Sequence, residues 1–149
     1  MSLSIEPELI QQVKRDEGLR LKAYWDPIGK VWTVGYGHTG PDVTEGTVWT
    51  LAQAEAALAE DLNTAADEVD RAFPWAEGMG VVRWSVFVNM AFNMGLDGLE
   101  EFHMMLAAAQ RGDWVEAAAQ MLESLWATQV KGRALRLAQQ MRTAEWVVG

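Results

Sequence analysis

The stretch from Asp16 to His38 reads DEGLRLKAYWDPIGKVWTVGYGH, and the rest of the chain can be interpreted around it. It contains two carboxylates nine positions apart, Glu17 and Asp26. The residues after Glu17 are rich in aromatic and β-branched types, which favour strands, and Asp26-Pro27-Ile28-Gly29 is typical of a turn. The sequence therefore predicts a small antiparallel sheet, a hairpin or three strands, with Asp26 at a turn and Thr33 on a strand.

An amphipathic helix is predicted before the sheet, over residues 6–17. Apolar residues recur there at helical spacing, Pro7 suits a first turn, and Gly18 suits a helix end. Glu17 would then stand at the C-terminal end of the helix. The negative end of the helix dipole favours the protonated form of a carboxyl group at such a position. This placement is appropriate for a general acid.

The sequence from residue 50 onwards predicts helices only. A capping box at Thr50 opens an alanine-rich helix that ends before Pro74 and is long enough, at about 35 Å, to connect two lobes. Further helices are predicted at residues 79–93, 99–110, 113–122, 124–128 and 132–145. We therefore expect an α+β fold in a single domain, residues 1–149, that consists of an N-terminal helix and sheet lobe (1–49), a connecting helix (50–73) and a helical C-terminal lobe (74–149).

Apolar positions at helical spacing predict the cores of these segments. The stripe of the connecting helix is Leu51, Ala54, Leu58, Leu62, Ala65 and Val69. The predicted core of the C-terminal lobe is Trp84, Phe87, Met90, Ala91, Phe102, Met105, Leu106, Trp114, Met121, Leu122, Leu125, Trp126 and Leu137.

Composition excludes several classes of function. The chain has no cysteine and only two histidines, His38 and His103, so we expect no disulfide, no metal and no cofactor. The net charge of −9 disfavours nucleic acid as a partner. No apolar run approaches the roughly 18 to 20 residues of a membrane span, and the N-terminus lacks the pattern of a signal peptide. We expect no stable membrane insertion.

The carboxylates at residues 17 and 26 suggest glycoside hydrolysis, which needs one protonated and one ionised carboxyl group across a cleft. The run Glu17-Gly18-Leu19-Arg20-Leu21-Lys22-Ala23-Tyr24-x-Asp26, followed by Thr33-Val34-Gly35-Tyr36-Gly37-His38, resembles the signature of the phage-type lysozymes, the family of T-even phage lysozyme and lambdoid endolysins. Similar runs follow in the same order, at Asn89–Gly95, Trp114–Ala118, Trp126, Arg133–Arg136 and Arg142–Trp146. The resemblance implies a lysozyme-like fold with the substrate between the lobes.

The same resemblance implies roles for individual residues. Glu17 would be the general acid, Asp26 the carboxylate across the cleft, and Thr33 a second group that holds the attacking water. The resemblance also implies that the reaction inverts the configuration at the anomeric carbon, which requires room for a water molecule between the carboxylates.

Further residues match positions around this site in the family. The expected substrate contacts are Phe92, Asn93 and Gly95, with Thr39 and Gln120 as weaker candidates. Arg133 would pair with Glu17, Asp16 with Arg136, and His38 with Asp61 in a buried structural pair.

Simpler interpretations stay open for several of these residues. Arg133 and Arg136 fit ordinary solvated helix charges, and Trp114 and Trp126 fit core positions. Phe92 fits a core position as well as a sugar contact. One departure concerns the site itself, because the turn between Asp26 and Thr33 is one residue longer than in related phage lysozymes. We expect that any displacement of Asp26 from Thr33 arises at this extra residue.

The resemblance implies a monomeric muramidase that cleaves the β-1,4 bond between N-acetylmuramic acid and N-acetylglucosamine in bacterial peptidoglycan. In phage lysis it would accumulate in the host cytoplasm, pass through a holin and reach the periplasm or cell wall. Two alternatives remain, a lytic transglycosylase and a catalytically impaired wall-binding or phage tail module.

Overall fold

Helix α1 precedes the sheet, as the sequence predicts. The computed structural model describes residues 3–148, in which α1 spans Pro7–Glu17 and ends at Gly18, whose φ is +71°. A glycine adopts this left-handed conformation without the steric cost that a side chain adds. The helix therefore stops at the position that leaves Glu17 on its last turn, beside the start of the sheet.

The predicted antiparallel sheet has two strands, β1 (Arg20–Asp26) and β2 (Val31–Gly35). Asp26 pairs with Val31 and Tyr24 pairs with Thr33. Residues 27–30 form the turn between the strands. The pairing keeps one register from Tyr24 to Asp26, and its irregularity lies between Arg20 and Tyr24. Paired residues point to the same face and side chains alternate along a strand. Asp26 and Thr33 consequently project from one face of the hairpin.

Helix α2 (Leu51–Ala72) begins with the predicted capping box, in which the Thr50 hydroxyl accepts from the Gln53 backbone N–H and the Gln53 side chain accepts from that of Thr50. The other helices are a 3₁₀ helix (Pro74–Met79), α3 (Val81–Glu100), α4 (His103–Gln110), α5 (Trp114–Leu122), α6 (Leu125–Val130) and α7 (Gly132–Thr143). The fold is therefore α+β, with a small sheet and a helical C-terminal part. No helix among residues 3–148 combines the length and apolar character that a bilayer span needs.

The main core lies among the helices and includes α1. Leu9 and Val13 of α1 are buried with Trp84 and Phe87 of α3, whereas the sheet packs on a separate small cluster of Ala23, Val34 and Val43. The helix that carries Glu17 thus belongs by its packing to the helical part.

Three predicted core positions are exposed. Leu51, Leu122 and Leu125 expose 49%, 42% and 75% of their surface. Leu51 and Leu125 are the first residues of α2 and α6, and Leu122 is the last of α5. An apolar residue at a helix end lies beyond the part of the stripe that a neighbouring helix covers. Phe102, Leu106 and Trp114 are partly buried at the edge of the main core.

The predicted break between the third and fourth helices is displaced. Gly95 has φ +80° and ψ 161°, which kinks α3 at that residue, but the chain resumes a helical course as far as Glu100. Helix α4 then begins at His103 and not at residue 99.

Candidate active site

Glu17 is held by a residue from the far end of the sequence. Its Oε2 accepts a hydrogen bond from Arg133 Nη1 of α7 at 2.7 Å. The Arg133 side chain is 7% exposed and that of Glu17 is 21% exposed, so this ion pair lies at the edge of the protein interior. One oxygen of the carboxyl group is fixed by the protein while the group still reaches solvent.

Arg133 is fixed in turn by Asn89 of α3. The amide oxygen of Asn89 accepts from Arg133 Nε at 3.1 Å and from Nη2 at 2.8 Å. Asn89 is fully buried. The three helices α1, α3 and α7 therefore meet through a polar chain that runs from Asn89 to Glu17.

A second ion pair joins the same helices. Asp16 Oδ1 lies 2.5 Å from Arg136 Nη2, and Asp16 Oδ2 lies 3.6 Å from Arg133 Nε. The Asp16 side chain is almost buried. The two arginines therefore face two carboxylates, and the four charges balance within the cluster, as a buried ion network requires.

Gly37, which follows β2, approaches Glu17 from the opposite side. An ideal Cβ built on Gly37 would lie 2.6 Å from Glu17 Oε1, and the residue has φ +78°. Both the conformation and the space exclude a side chain there. Gly35 likewise lies against the side chain of Trp49, and Gly40 lies against that of Asp42. The close contacts of these glycines are therefore with other residues of the protein.

Asp26 is held by its own turn. Its Oδ1 accepts from the Ile28 backbone N–H at 2.9 Å, and an ideal Cβ on Gly29 would lie 3.0 Å from its Oδ2. This is the short-range pattern by which aspartate stabilises turns. Thr33 is buried on the same hairpin face, with its hydroxyl 3.5 Å from the Val31 carbonyl oxygen.

His38 bridges the loop after β2 and helix α2. Its Nδ1 lies 2.7 Å from Asp61 Oδ2, and its Nε2 lies 3.2 Å from Asp42 Oδ2. Burial alone would lower the pKa of His38, but the carboxylates of Asp61 and Asp42 outweigh it and raise that pKa above its ordinary value. The Asp61 side chain is 30% exposed, so the expected buried pair is a partly exposed group of three.

The expected substrate contacts fall in two places. Thr39 and Phe92 line a cavity of about 190 Å³ together with Gly37 and Asp61, and Gly37 also contacts Glu17. Gln120 lines a second cavity of about 570 Å³ in the helical part, which Trp126 also lines.

The side chains of the remaining candidates are engaged within the protein. Asn93 Oδ1 accepts from Trp126 Nε1 at 2.7 Å, and Gln120 donates to Glu116 of the same helix at 2.7 Å. Gly95 forms the kink of α3. Within residues 3–148, no three His, Asp or Glu side chains cluster in a way that would hold a metal ion.

The sequence does not predict the contacts of two residues in this arrangement, Asn89 and Gly37. Asn89 occurs in a run that resembles the family, but nothing in its neighbours indicates that it binds an arginine 44 positions away. The glycine at residue 37 indicates a close approach, yet the sequence does not show that Glu17 is the approaching group.

Comparison with known proteins identifies the family. The family model for phage lysozyme matches residues 14–145. The pre-baseplate central spike protein Gp5 of Enterobacteria phage T4 is 32% identical over 154 residues, which cover 87% of this chain and 26% of Gp5. The endolysin of Bacillus phage PZA is 32% identical over 136 residues, which cover 85% of this chain and 52% of that protein.

The chain thus spans about a quarter of the first relative and about half of the second. The endolysin of Acyrthosiphon pisum secondary endosymbiont phage 1 is 34% identical over 113 residues, which cover 74% of this chain and 73% of that protein. Because the family model extends over most of the chain and this relative is largely spanned by it, the chain belongs to the phage lysozyme family.

Proposed function

We propose that this chain is a peptidoglycan hydrolase that cleaves the β-1,4 bond between N-acetylmuramic acid and N-acetylglucosamine. The observation that carries the proposal is the setting of Glu17. Its carboxyl group is anchored by Arg133 on one oxygen, lies against Gly37 and keeps 21% of its side-chain surface exposed. A carboxyl group so oriented and still accessible is what a general acid needs.

The proposed reaction divides the work between Glu17 and Asp26. Glu17 donates its proton to the glycosidic oxygen as the bond from that oxygen to the anomeric carbon breaks. Asp26 accepts a proton from a water molecule, whose oxygen attacks the anomeric carbon from the opposite face. The product then has an inverted configuration and a new reducing end, and each proton is accounted for.

The hairpin supports the assignment of the water to Asp26 and Thr33. Both residues project from the same face, and the pairs Asp26–Val31 and Tyr24–Thr33 share one continuous register. The Ile28 N–H engages only Asp26 Oδ1, which leaves Oδ2 to bind the water. Among residues 3–148, the Thr33 hydroxyl makes one hydrogen bond, of 3.5 Å, to the Val31 carbonyl oxygen, which leaves its lone pairs for the water as a second ligand.

The similarity to endolysins supports a role in phage-mediated lysis. In that role we propose a monomer that passes from the host cytoplasm through a holin to the wall. The similarity to Gp5 supports a second role with the same chemistry, in which the domain is part of a phage tail. The two roles differ in timing and location. A fusion of this chain to a fluorescent protein, expressed during infection, would associate with free virions only in the tail role.

Mass spectrometry of digested cell wall tests the reaction. We expect purified protein to release fragments with reducing muramic ends. Anhydromuramic ends would indicate a lytic transglycosylase and refute hydrolysis. Digestion in ¹⁸O-labelled water should place the label at the new anomeric carbon.

The variant Glu17→Gln tests the general acid. It keeps the size of the side chain but removes the titratable proton, so we expect the folded variant to lose wall clearing by at least about a thousandfold. Its thermal unfolding midpoint should also fall, because Arg133 loses its charged partner. Glu6→Gln, at the other end of α1, is the matched control and should clear walls at the normal rate. Normal clearing by Glu17→Gln would refute the assignment.

A further inference from the structure

Asn89 is an unexpected residue for its position. It is fully buried on α3, between Val88 and Met90, which are fully buried too. Burial of an amide group in apolar surroundings costs free energy unless its polar atoms are hydrogen-bonded. Among residues 3–148, its oxygen has Arg133 as a partner but its nitrogen has none. Within this part of the chain, Arg133 is therefore the one hydrogen-bond partner of the Asn89 side chain.

Those contacts define the orientation of the guanidinium group. Nε and Nη2 lie on one edge of the planar group, and both donate to the Asn89 oxygen. A planar group held along one edge cannot rotate freely, so the direction of the remaining nitrogen is determined. That nitrogen is Nη1, which donates to Glu17 Oε2 at 2.7 Å.

We propose that Asn89 is a positioning residue for Glu17 that acts through Arg133; this rests on the function proposed above. Without Asn89, the long arginine side chain has several rotamers in which it can still meet a carboxylate, for example that of Asp16, 3.6 Å from its Nε. Glu17 would then lose its fixed partner. A misplacement of about 1 Å at a reacting group lowers a rate by up to about a hundredfold.

A double-mutant cycle tests the inference. Asn89→Ala should lower kcat about tenfold on soluble glycan strands from the wall and leave KM within about twofold, since Glu17 is misplaced but the cleft is intact. Arg133→Ala should lower kcat at least as much. If Asn89 acts through Arg133, Asn89→Ala should change kcat by less than about twofold in the Arg133→Ala background.

Ser85 provides a matched control. It lies one turn before Asn89 on α3, is fully buried, and its hydroxyl has no hydrogen-bond partner within residues 3–148. Ser85→Ala therefore removes a buried polar group from the same helix without touching Arg133. We expect unchanged kcat and KM for this variant. Asn89→Ser, a milder change with the same expectations, replaces Asn89→Ala if the latter does not fold.

The inference is overturned if Asn89→Ala has normal kcat, or if it lowers kcat equally in both backgrounds, as a packing defect would. Its failure is distinct from failure of the proposed function. If the wild-type protein releases no reducing ends, the proposed function fails, whereas a thermal-unfolding cycle on the same four proteins still measures the coupling of Asn89 and Arg133. Additive unfolding effects would refute the coupling by themselves.

Discussion

Glu17 and Asp26 are nine positions apart in the sequence, but the protein holds them in different ways. Asp26 is oriented by the backbone N–H two residues further on, in an exposed turn. Glu17 is oriented by Arg133, 116 positions away, in a cluster that is nearly buried. One carboxylate depends on local chain geometry and the other on the packing of three helices.

This difference separates the energetic consequences of changing each region. A turn residue at the surface contributes little to the free energy of unfolding when it is replaced by a similar one. A buried ion pair contributes strongly when one partner is removed, because the other charge remains without compensation. Activity and stability should therefore respond together near Glu17 and separately near Asp26.

After Glu17→Gln, the largest effect on activity is expected from Asp26→Asn. The variant keeps the shape of the turn and an oxygen that can accept from Ile28, but it removes the group that would take a proton from water. Wall clearing should fall by at least about a hundredfold, and the unfolding midpoint should change by less than about 2 °C. Both are measured on one preparation, by turbidity and by differential scanning calorimetry.

Asp16→Asn is the counterpart in the other region. Arg136 and Arg133 would lose a negatively charged partner whose side chain is nearly buried. We therefore expect a loss of roughly 1 to 3 kcal/mol in the free energy of unfolding. If Asp26→Asn destabilises the protein more than Asp16→Asn, the contrast between the two regions is wrong.

The same contrast explains what the sequence predicts. The end of α1 at Gly18, the turn at Asp26 and the capping box at Thr50 are local patterns, and each appears where the sequence places it. The resemblance to a family predicts that Arg133 pairs with Glu17. Helical periodicity alone predicts only that both are charged residues on helices. Their contact depends on how α7 packs against α1, and no short-range rule contains that information.

The unpredicted features are likewise products of packing. Leu125 has an apolar side chain at a position where no neighbouring helix covers it, so the pattern that assigns it to the core fails. Asn89 binds Arg133 of α7, and Gly37 contacts Glu17 of α1. Each of these depends on the relative placement of whole elements.

Gly37→Ala is expected to lower activity less than Asp26→Asn and to link the two regions, because the added Cβ would meet Glu17 Oε1 at 2.6 Å. The carboxyl group would have to shift from the position in which its other oxygen binds Arg133. We expect about tenfold lower activity and a loss of roughly 1 to 3 kcal/mol in stability, measured by turbidity and by urea unfolding.

Gly80→Ala separates the two causes of that loss. Gly80 has a similar φ of +88°, but apart from its two chain neighbours no atom of residues 3–148 lies within 4 Å of the place that an added methyl group would take. The variant therefore carries the backbone strain without the collision. It should destabilise the protein and leave the specific activity of the folded fraction unchanged. Equal activity losses in both variants would mean that the contact with Glu17 is unimportant.

The smallest expected effect concerns His38, which combines a short-range partner, Asp42, with a long-range one, Asp61 of α2. Because its pKa is raised in the folded protein, the folded state retains a proton that the unfolded chain releases near pH 6.5. This contribution to stability is complete below that pH and is lost as pH rises through the higher pKa of the folded state.

The unfolding midpoint of the wild-type protein should therefore exceed that of His38→Gln by roughly a few degrees at pH 6, and the difference should shrink by pH 9. Asp42→Asn tests which partner dominates. Since the Asp42 side chain is 61% exposed and that of Asp61 is 30% exposed, solvent screens Asp42 more strongly. Asp42→Asn should preserve most of the pH dependence, and its complete loss in this variant would assign the raised pKa to the short-range partner.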